Sequence, residues 1–348
     1  MGNYRIAMIH HSTSHDSMER YALMLKEAAK GIARLYSLVY RSIDSRPQCS
    51  EILAGLFSGR KMMSHINYFF PQITVPGYKE LVNSVHSKGG VIHYTAGYIF
   101  PCNLTENDIV TIHDIYHLLF PSKVPLIERK YNQRSLEKFG SARLRNVVVD
   151  SISIKKSLEV NGFESNISVI YPPVSDSFIS LGDKETARKK LGLPLDKNIV
   201  LSVSNAQWRK NLKGIEEALG LLGSDFKLVR VGPKVGSSIT FSGIDDETLN
   251  LLYNASDVLL YPSFYEGFGF VPLEASRTGL PVVVSDIDVF KEVLGNYPIY
   301  VDPYSPKDIS LGVRDALGTT ASRAPPSLER FSYLSFKNNL LTFYDKVF

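Results

Sequence analysis

Short apolar runs rich in valine and isoleucine alternate along the chain with longer segments in which apolar residues recur every three or four positions. The short runs are typical of buried strands, and the longer segments are typical of amphipathic helices. Their alternation predicts βαβ units that build a parallel sheet. In the first half, the predicted strands are Arg5 to His10, Ile66 to Phe70, Gly90 to Tyr94, Ile109 to His113, Val147 to Asp150 and Ile167 to Tyr171.

Helical periodicity in the first half is clear over Met18 to Ala33, where one face carries Leu25, Ala28, Ala29 and Ile32. A proline-rich, polar stretch at 172–198 then interrupts the pattern, and a second series of strands and helices follows. Its predicted strands are Ile199 to Val203, Phe226 to Val231 and Val258 to Tyr261. One predicted helix carries Leu212, Ile215, Leu219 and Leu222 on one face. A later predicted helix begins with the acidic run 245–247, which suits the positive end of the helix dipole.

The length of 348 residues favours two domains, because a single core usually stops growing at roughly 250 to 300 residues. We therefore expect an α/β protein with two doubly wound, Rossmann-like domains facing a cleft. The expected boundaries are 1–175 for the first domain and 176–330 for the second. The aromatic-rich stretch 331–348 is predicted to be a helix that packs back on the first domain.

The composition is that of an ordinary folded protein, with 44% hydrophobic and 21% charged residues. A net charge of +4, spread along the chain, gives no basis for nucleic-acid binding and is compatible with peripheral membrane association. The apolar run at the N-terminus is short and interrupted by Arg5, His10 and His11, and no stretch of about 18 apolar residues occurs. The sequence therefore predicts a cytoplasmic protein.

The first candidate functional segment is 261–286, because ligands of doubly wound domains bind where strands end. Gly267 and Gly269 let the backbone approach a ligand closely, and a helix starting near Pro272 directs N–H groups toward an anion. Glu266 and Glu274 supply carboxylates, which accept hydrogen bonds from sugar and ribose hydroxyls. The alternative interpretation is a tight turn with two solvated glutamates.

The pattern around these residues, PS-x-x-EGFG-x-x-x-LEA-x-x-x-G-x-PVV, starts at Pro262. It resembles the E-x7-E motif of retaining GT-B glycosyltransferases of family 4, the glycosyl transferases group 1. The resemblance implies that Glu266 binds the hydroxyls of the donor sugar and that Glu274 binds the ribose. It further implies that main chain contacts the donor's sugar, diphosphate and base at Gly267, Phe268, Gly269, Phe270, Val271, Gly232 and Ile244.

The second candidate segment contains Arg209 and Lys210, which lie between a predicted strand and a predicted helix. Two cations at a helix N-terminus oppose the helix dipole, so we expect a negative ligand, although two solvated charges are the alternative. The run is similar to the RK-N/G element of the family, which implies that Lys210, assisted by Arg209, neutralises the leaving diphosphate. Many relatives carry a glycine near Ser204 and an arginine close to Asn205, so the expected phosphate contact of Asn205 departs from the pattern.

The third candidate segment, 108–121, resembles the family's TIHD strand end, which implies that His113 contacts the donor sugar from the first domain. Two alternatives remain open. His113 and His117 have the spacing of a helical zinc pair, but no third ligand is evident, and His113 is also compatible with a buried structural role.

One feature departs from the family's pattern, and another resembles a motif of a different glycosyltransferase fold. The first strand is followed by a loop without glycine, in which Ser12, Thr13 and Ser14 are expected to shape the acceptor side. Asp286 and Asp288 resemble the metal-binding DxD of another glycosyltransferase fold, but they follow a VVVS run and are interpreted as a loop and helix start. We therefore predict a reaction without a metal ion or other cofactor.

The resemblance implies that 1–175 is the acceptor-side domain and that 176–330 is the nucleotide-sugar-binding domain. It also implies retaining transfer of a hexose, of mannosyl or glucosyl type, from a nucleoside-diphosphate sugar to a hydroxyl of a carbohydrate, lipid-linked or protein acceptor. One alternative is an epimerase or hydrolase of the same fold, which would need no sugar acceptor. The other is a noncatalytic nucleotide-sugar-binding protein, which would bind the donor without turnover.

Overall fold

The structure is a computed structural model, and it describes residues 5–10, 17–37, 77–99, 101–318 and 326–348. The chain divides into two compact units, which we call unit 1 (1–172 and 334–348) and unit 2 (173–333). The sequence placed the boundaries at 175 and 330. The predicted strand at 66–70 and the serine- and threonine-rich loop at 12–14 lie outside the described residues.

Unit 1 contains a parallel sheet of six described strands in the order β2-β1-β3-β4-β5-β6. The strands are β1 (Ile6–His10), β2 (Ala33–Ser37), β3 (Val91–Tyr94), β4 (Ile109–Ile112), β5 (Asn146–Val149) and β6 (Asn166–Val169). The helices, numbered within the described residues, are α1 (Ser17–Ala28), α2 (Tyr78–His86), α3 (Tyr116–Leu119), α4 (Leu126–Ser141) and α5 (Ile152–Val160), with a 3₁₀ turn at Pro121–Lys123.

The central strands of unit 1, β1, β3, β4 and β5, are mostly apolar because both faces of the sheet are covered there. In β1, Ile6 and Met8 point into one core cluster, while Ala7 and Ile9 point into another on the opposite face. Successive strand residues alternate between faces, so a continuous apolar run is needed to fill both clusters. The predicted strands of the first half that fall in the described residues agree with the observed ones to within two residues at each end.

The predicted helix over Met18 to Ala33 is too long at its C-terminal end. Helix α1 ends at Ala28, and Gly31 then adopts a φ of +91°, which is incompatible with a continuing α-helix. Ala33 already belongs to β2, a strand that the sequence analysis missed, and Ile32 is exposed rather than on the buried face.

Unit 2 contains a second parallel sheet of six described strands, in the order β12-β11-β10-β7-β8-β9. Its strands are β7 (Asn198–Val203), β8 (Phe226–Val231), β9 (Ile239–Phe241), β10 (Val258–Tyr261), β11 (Val282–Ser285) and β12 (Ile299–Val301). Its helices are α6 (Lys184–Leu191), α7 (Leu212–Leu222), α8 (Asp246–Ala255), α9 (Phe270–Arg277), α10 (Asp288–Leu294) and α11 (Pro306–Gly318), with 3₁₀ turns at Trp208–Lys210 and Glu329–Phe331.

The last helix, α12 (Tyr333–Val347), belongs to unit 1 from Leu334 onward. Its buried side chains join the core cluster that contains α1 and one face of β1; they are Phe336, Leu340, Phe343 and Tyr344. The Tyr344 hydroxyl also forms a 2.7 Å hydrogen bond with Nδ1 of His93 on β3. Unit 1 is therefore built from two separate stretches of chain.

The predicted fold class of two Rossmann-like domains is confirmed by the two parallel sheets and their flanking helices. Among the described residues, no helix is both long enough and apolar enough to cross a membrane.

Candidate functional site

The carboxyl ends of β7 and β10 are the point where the connections of the unit 2 sheet diverge. From β7 the chain builds β8 and β9 on one side, and β10, β11 and β12 then extend the other side. Loops that leave neighbouring strands in opposite directions open a crevice, which is the usual ligand site of such sheets. Arg209 and Lys210 follow β7 here, and Glu266 follows β10.

Two cations share the Glu266 carboxylate in this crevice. Lys210 Nζ donates to Glu266 Oε1 at 2.6 Å, and Arg209 Nη1 donates to Oε2 at 2.9 Å. Lys210 Nζ also donates to the Tyr261 hydroxyl at 2.7 Å and lies 5.1 Å from the centre of that ring. The structure thus brings together three of the residues that the sequence assigned to the site.

The charge of this cluster depends on its burial. Glu266 is 8% exposed, and burial alone would raise its pKa, but the Lys210 and Arg209 charges outweigh burial and lower the pKa below its ordinary value. Two cations and one carboxylate leave a net charge of +1. The cluster is therefore suited to attract an anion, while its carboxylate remains ionised and able to accept hydrogen bonds.

Asn211 fixes the loop that carries the two cations. Its backbone is left-handed, with a φ of +53°, and its Oδ1 caps α7 by accepting from Gly214 N at 3.1 Å. Its Nδ2 donates to the carbonyl oxygens of Pro262 (3.1 Å) and Pro303 (2.7 Å), which belong to the loops after β10 and β12. One buried side chain therefore ties three loops at the carboxyl edge of the sheet.

The glycine turn leads directly into helix α9. Gly269 has a φ of +118°, and a Cβ on it would lie 3.0 Å from the Phe290 ring, so the position requires glycine. Phe268 is buried against the rings of Phe270 and Phe331, so its side chain anchors the turn. Phe270 and Val271 begin the helix and stay half-buried. The first N–H groups of a helix have no partner within it, so this turn presents donors for an anion.

Glu274 lies one turn further along α9 and is buried. Its Oε2 accepts a 2.8 Å hydrogen bond from the hydroxyl of Tyr253 on α8. The sequence analysis did not single out Tyr253. The hydrogen bond holds the second carboxylate of the motif in place.

The ends of β7 and β8 are held by Arg230, a fully buried residue that the sequence analysis also missed. Its guanidinium donates to the hydroxyls of Ser202 (2.8 Å) and Ser204 (3.1 Å) and to the Ser204 carbonyl oxygen (2.9 Å). Burial lowers the pKa of Arg230 to about 10. A Cβ on Gly232, whose φ is +126°, would lie 2.1 Å from the same carbonyl oxygen. The two backbones therefore approach closely here.

Two other residues expected to contact the donor's phosphate and base, Asn205 and Ile244, lie on loops that follow β7 and β9. Asn205 is exposed, and its Oδ1 accepts from Gln207 N at 3.1 Å within the turn that precedes Arg209. Ile244 is half-buried between β9 and α8, after Gly243 with its φ of +62°. Their assigned roles remain predictions.

In unit 1, His113 directly follows β4 and forms hydrogen bonds through both ring nitrogens. Nε2 donates to the carbonyl oxygen of Thr95 at 2.8 Å, and Nδ1 faces Asp150 Oδ2 at 2.5 Å. Burial would lower the pKa of His113, but the Asp150 charge and these hydrogen bonds outweigh it and raise the pKa. Both nitrogens face acceptors, so the arrangement favours the imidazolium. Asp150 follows β5 directly, a position that could have marked it in the sequence.

The zinc alternative for His113 and His117 finds no support in the geometry. Both nitrogens of His113 are used in hydrogen bonds, with Thr95 and Asp150. Across the described ranges, no three His, Cys, Asp or Glu side chains gather where they could hold a metal ion. Asp286 and Asp288 lie at the loop and the start of α10, as the sequence predicted.

These features define a Rossmann-like domain whose switch point carries a buried cluster of two cations and one ionised carboxylate. The family model of glycosyl transferases group 1 matches residues 183–330, which include the whole cluster. The chain is 30% identical over 249 residues to the O-antigen chain mannosyltransferase RfbU of Salmonella typhimurium, covering 70% of this chain and 67% of that protein. The chain belongs to the glycosyl transferases group 1 family, and it is a glycosyltransferase.

Two further comparisons are consistent with this membership. O-antigen chain mannosyltransferase B of Escherichia coli is 28% identical over 249 residues, which cover 65% of each chain. The structure of HepE from Anabaena in complex with UDP-glucose superposes with a TM-score of 0.73 at 16% identity, over 98% of this chain and 99% of that one. At that identity the likeness concerns the fold alone. The chain spans about two thirds of the length of the two mannosyltransferases.

Proposed function

We propose that this glycosyltransferase moves a hexose, with mannose favoured, from a nucleoside-diphosphate sugar to an acceptor hydroxyl. The transfer retains the anomeric configuration and needs no metal ion. The observation that carries the proposal is the sharing of Glu266 by Lys210 and Arg209 at the switch point of unit 2. The names of the two O-antigen mannosyltransferases favour mannose over glucose.

The residues of the cluster have distinct tasks in this proposal. Lys210 and Arg209 neutralise the charge that develops on the leaving diphosphate, together with the N–H groups at the start of α9. Glu266 accepts hydrogen bonds from the sugar hydroxyls and positions the anomeric carbon, and Glu274 accepts from the ribose. A contact between His113 and the donor sugar stays a prediction of the family resemblance.

The acceptor is a carbohydrate, a lipid-linked molecule or a protein, and one of its hydroxyls attacks the donor sugar. A lipid-linked acceptor would hold the enzyme peripherally at a membrane. The leaving phosphate takes the proton of the attacking hydroxyl on the same face of the sugar, which retains the configuration.

Donor binding is tested by thermal unfolding with GDP-, UDP- and ADP-sugars, because a ligand of the native state raises the melting temperature. We expect one nucleotide series to raise it in the wild type and to lose most of this effect in Lys210→Ala. Lys189→Ala is the matched control, since Lys189 also pairs with a glutamate, Glu185, but in an exposed position. An equal shift in Lys210→Ala would refute the diphosphate role.

Turnover is tested by release of nucleoside diphosphate in the presence of EDTA. We expect Glu266→Ala to reduce release heavily while Glu185→Ala keeps it, and EDTA to leave the wild-type rate unchanged. A strong loss with EDTA contradicts metal independence. Release that is equally fast with and without any acceptor would indicate a hydrolase, and donor binding without release would indicate a binding protein.

A further inference from the structure

Three aromatic rings from three different loops form a stack at the carboxyl edge of the unit 2 sheet. Trp208 follows β7, Phe264 follows β10 and Tyr304 follows β12. The Phe264 ring lies between the other two, with its centre 6.2 Å from that of Trp208 and 4.8 Å from that of Tyr304, at interplanar angles of 18° and 30°. Tyr304 is 72% exposed, so the outer end of this aromatic stack faces solvent.

A pocket of about 380 Å³ lies against the aromatic stack, within the size range of small-molecule sites. Its lining includes one cation, Lys213, and one carboxylate, Glu217, which face each other at 3.4 Å and leave no net charge. Besides these, the lining is made of the ring surfaces, of two prolines and of small or polar residues, with Leu212 as the one large aliphatic side chain.

The walls of the pocket are fixed before any ligand binds. Asn211, which lines the pocket, joins the loops after β7, β10 and β12 through the hydrogen bonds described above. Phe264 N donates to the Arg209 carbonyl oxygen at 2.8 Å, and Tyr304 N donates to Asp302 Oδ1 at 2.9 Å. A preformed pocket avoids the entropy cost of ordering loops on binding.

We propose that this pocket binds a pyranose ring of the acceptor, and that the acceptor is therefore a carbohydrate chain. A pyranose has an apolar C–H face and a rim of hydroxyls, so its face packs on an aromatic ring and its rim meets polar groups. The stack offers such a ring face at Tyr304, and Lys213, Glu217 and Gln207 offer hydrogen-bonding groups around it.

The charge and lining of the pocket argue against other ligands. A phosphate or diphosphate calls for excess positive charge, which the Lys213–Glu217 pair does not provide. An acyl or prenyl chain calls for a long aliphatic lining, which is absent from the residues that surround this pocket. The inference rests on the proposed function, because it names the acceptor of that same reaction. It assigns one sugar ring of the acceptor to unit 2, in addition to the acceptor side that the sequence predicts for residues 1–175.

Trp208 is the single tryptophan of the chain, so intrinsic fluorescence reports on this pocket directly. The wild-type protein is titrated, without donor, with α-mannobiose, maltose and N,N′-diacetylchitobiose. Mannitol is the control ligand, since it carries hydroxyls but no ring face. We expect at least one disaccharide to change the emission saturably and mannitol to leave it unchanged.

Tyr304→Ala is expected to raise the dissociation constant of that disaccharide about tenfold, and Tyr304→Phe to restore it, because the ring face and not the hydroxyl makes the contact. The exposure of Tyr304 keeps both variants folded. No response to any of the three disaccharides, an equal response to mannitol, or an unchanged constant in Tyr304→Ala would overturn the proposal.

The same titration separates this inference from the proposed function, since it needs neither donor nor turnover. Disaccharide binding without any nucleoside-diphosphate release would overturn the proposed function and leave the pocket standing as a carbohydrate site. Release of nucleoside diphosphate without a disaccharide response would overturn the carbohydrate pocket and leave the proposed function standing.

Discussion

Lys210 and Arg209 keep Glu266 ionised at a position that is almost closed to water. A buried carboxylate that loses its cation partners is costly, and buried cations that lose their carboxylate are equally so. The three charges therefore support the loops after β7 and β10 in the free protein, and in the proposed function they also bind the donor. Structural and functional demands meet in the same three side chains.

Replacing Glu266 with glutamine keeps the shape of the side chain and removes the charge that both cations share. We expect the free energy of unfolding to fall by about 3 kcal/mol, as for other broken buried ion pairs. We expect turnover to fall by at least about 100-fold, because the donor sugar loses its positioning. Urea denaturation and nucleoside-diphosphate release measure the two effects, and Glu185→Gln, on the exposed pair, should change neither. Wild-type values for Glu266→Gln would contradict both assignments.

The His113–Asp150 pair predicts a specific dependence of stability on pH. The pKa of His113 is raised in the folded state above its ordinary value of 6.5, so its contribution to stability is complete below that pH. The contribution declines as pH rises through the folded pKa. In urea denaturation between pH 6 and pH 9, we therefore expect the destabilisation caused by His113→Gln to shrink as the pH rises. A destabilisation that is constant over this range would show that His113 is not held as the imidazolium.

At the scale of elements, the carboxyl edge of the unit 2 sheet is held by contacts between loops. Asn211 joins three of them, and Arg230 and Gly232 bring the ends of β7 and β8 together. The ligand-binding residues lie on loops, while their positions are set by hydrogen bonds to neighbouring strand ends.

Gly232→Ala tests the close approach of these two strand ends. Its Cβ would collide with the Ser204 carbonyl oxygen, which the Arg230 guanidinium holds in place, so we expect a loss of more than about 3 kcal/mol. Gly243→Ala is the matched control, because Gly243 also has a positive φ but open space at its Cβ, and it should lose only about 1 kcal/mol. Urea denaturation followed by the fluorescence of Trp208 compares them. Equal losses would mean that backbone conformation alone accounts for the effect.

The sequence predicted the strands whose apolar residues form a clear local run. The strands Phe226–Val231 and Val258–Tyr261 are observed with the predicted bounds, because buried parallel strands are continuous apolar runs. The strands β9 and β12 are short and half-exposed, so their runs do not stand out from loops. Arg230 was missed for a different reason: within FKLVRV it looks like an exposed position, and its burial follows from Ser202 and Ser204 on the neighbouring strand and loop.

The residues of the candidate site also divide into those that a local sequence pattern predicts and those that depend on contacts between distant residues. Motif residues that lie next to strands in sequence, such as Lys210 and Glu266, could be placed at one sheet edge from their positions alone. Tyr261, the partner of Lys210, and Tyr253, the partner of Glu274, could not be placed, since a tyrosine in a strand or an amphipathic helix is equally well explained as core. The aromatic stack, in turn, exists only because three distant loops meet.

At the scale of the whole molecule, helix α12 completes the core of unit 1 after the chain has built all of unit 2. Its apolar side chains pack against α1 and β1, and Tyr344 reaches the buried His93. The stability of unit 1 therefore depends on residues more than 300 positions away from its first strand.

Leu340→Ala tests this dependence, since Leu340 is fully buried in the unit 1 core. We expect a loss of about 2 to 5 kcal/mol, and faster amide hydrogen exchange in β1 and β3 while β7 and β10 keep their protection. Leu334→Ala, at a 66% exposed position of the same helix, is the control and should leave exchange in both sheets unchanged. Equal exchange changes in the two sheets would show that the units do not unfold separately.

The division of unit 1 into two stretches also sets an order of events on the ribosome. The first 172 residues emerge without α12, which shares one face of their sheet with α1, whereas unit 2 emerges as one uninterrupted segment. Domains that are continuous in sequence fold as they leave the exit tunnel. Unit 1 is therefore completed after unit 2, and the apolar surface that α12 covers must be kept from aggregating until translation reaches that helix.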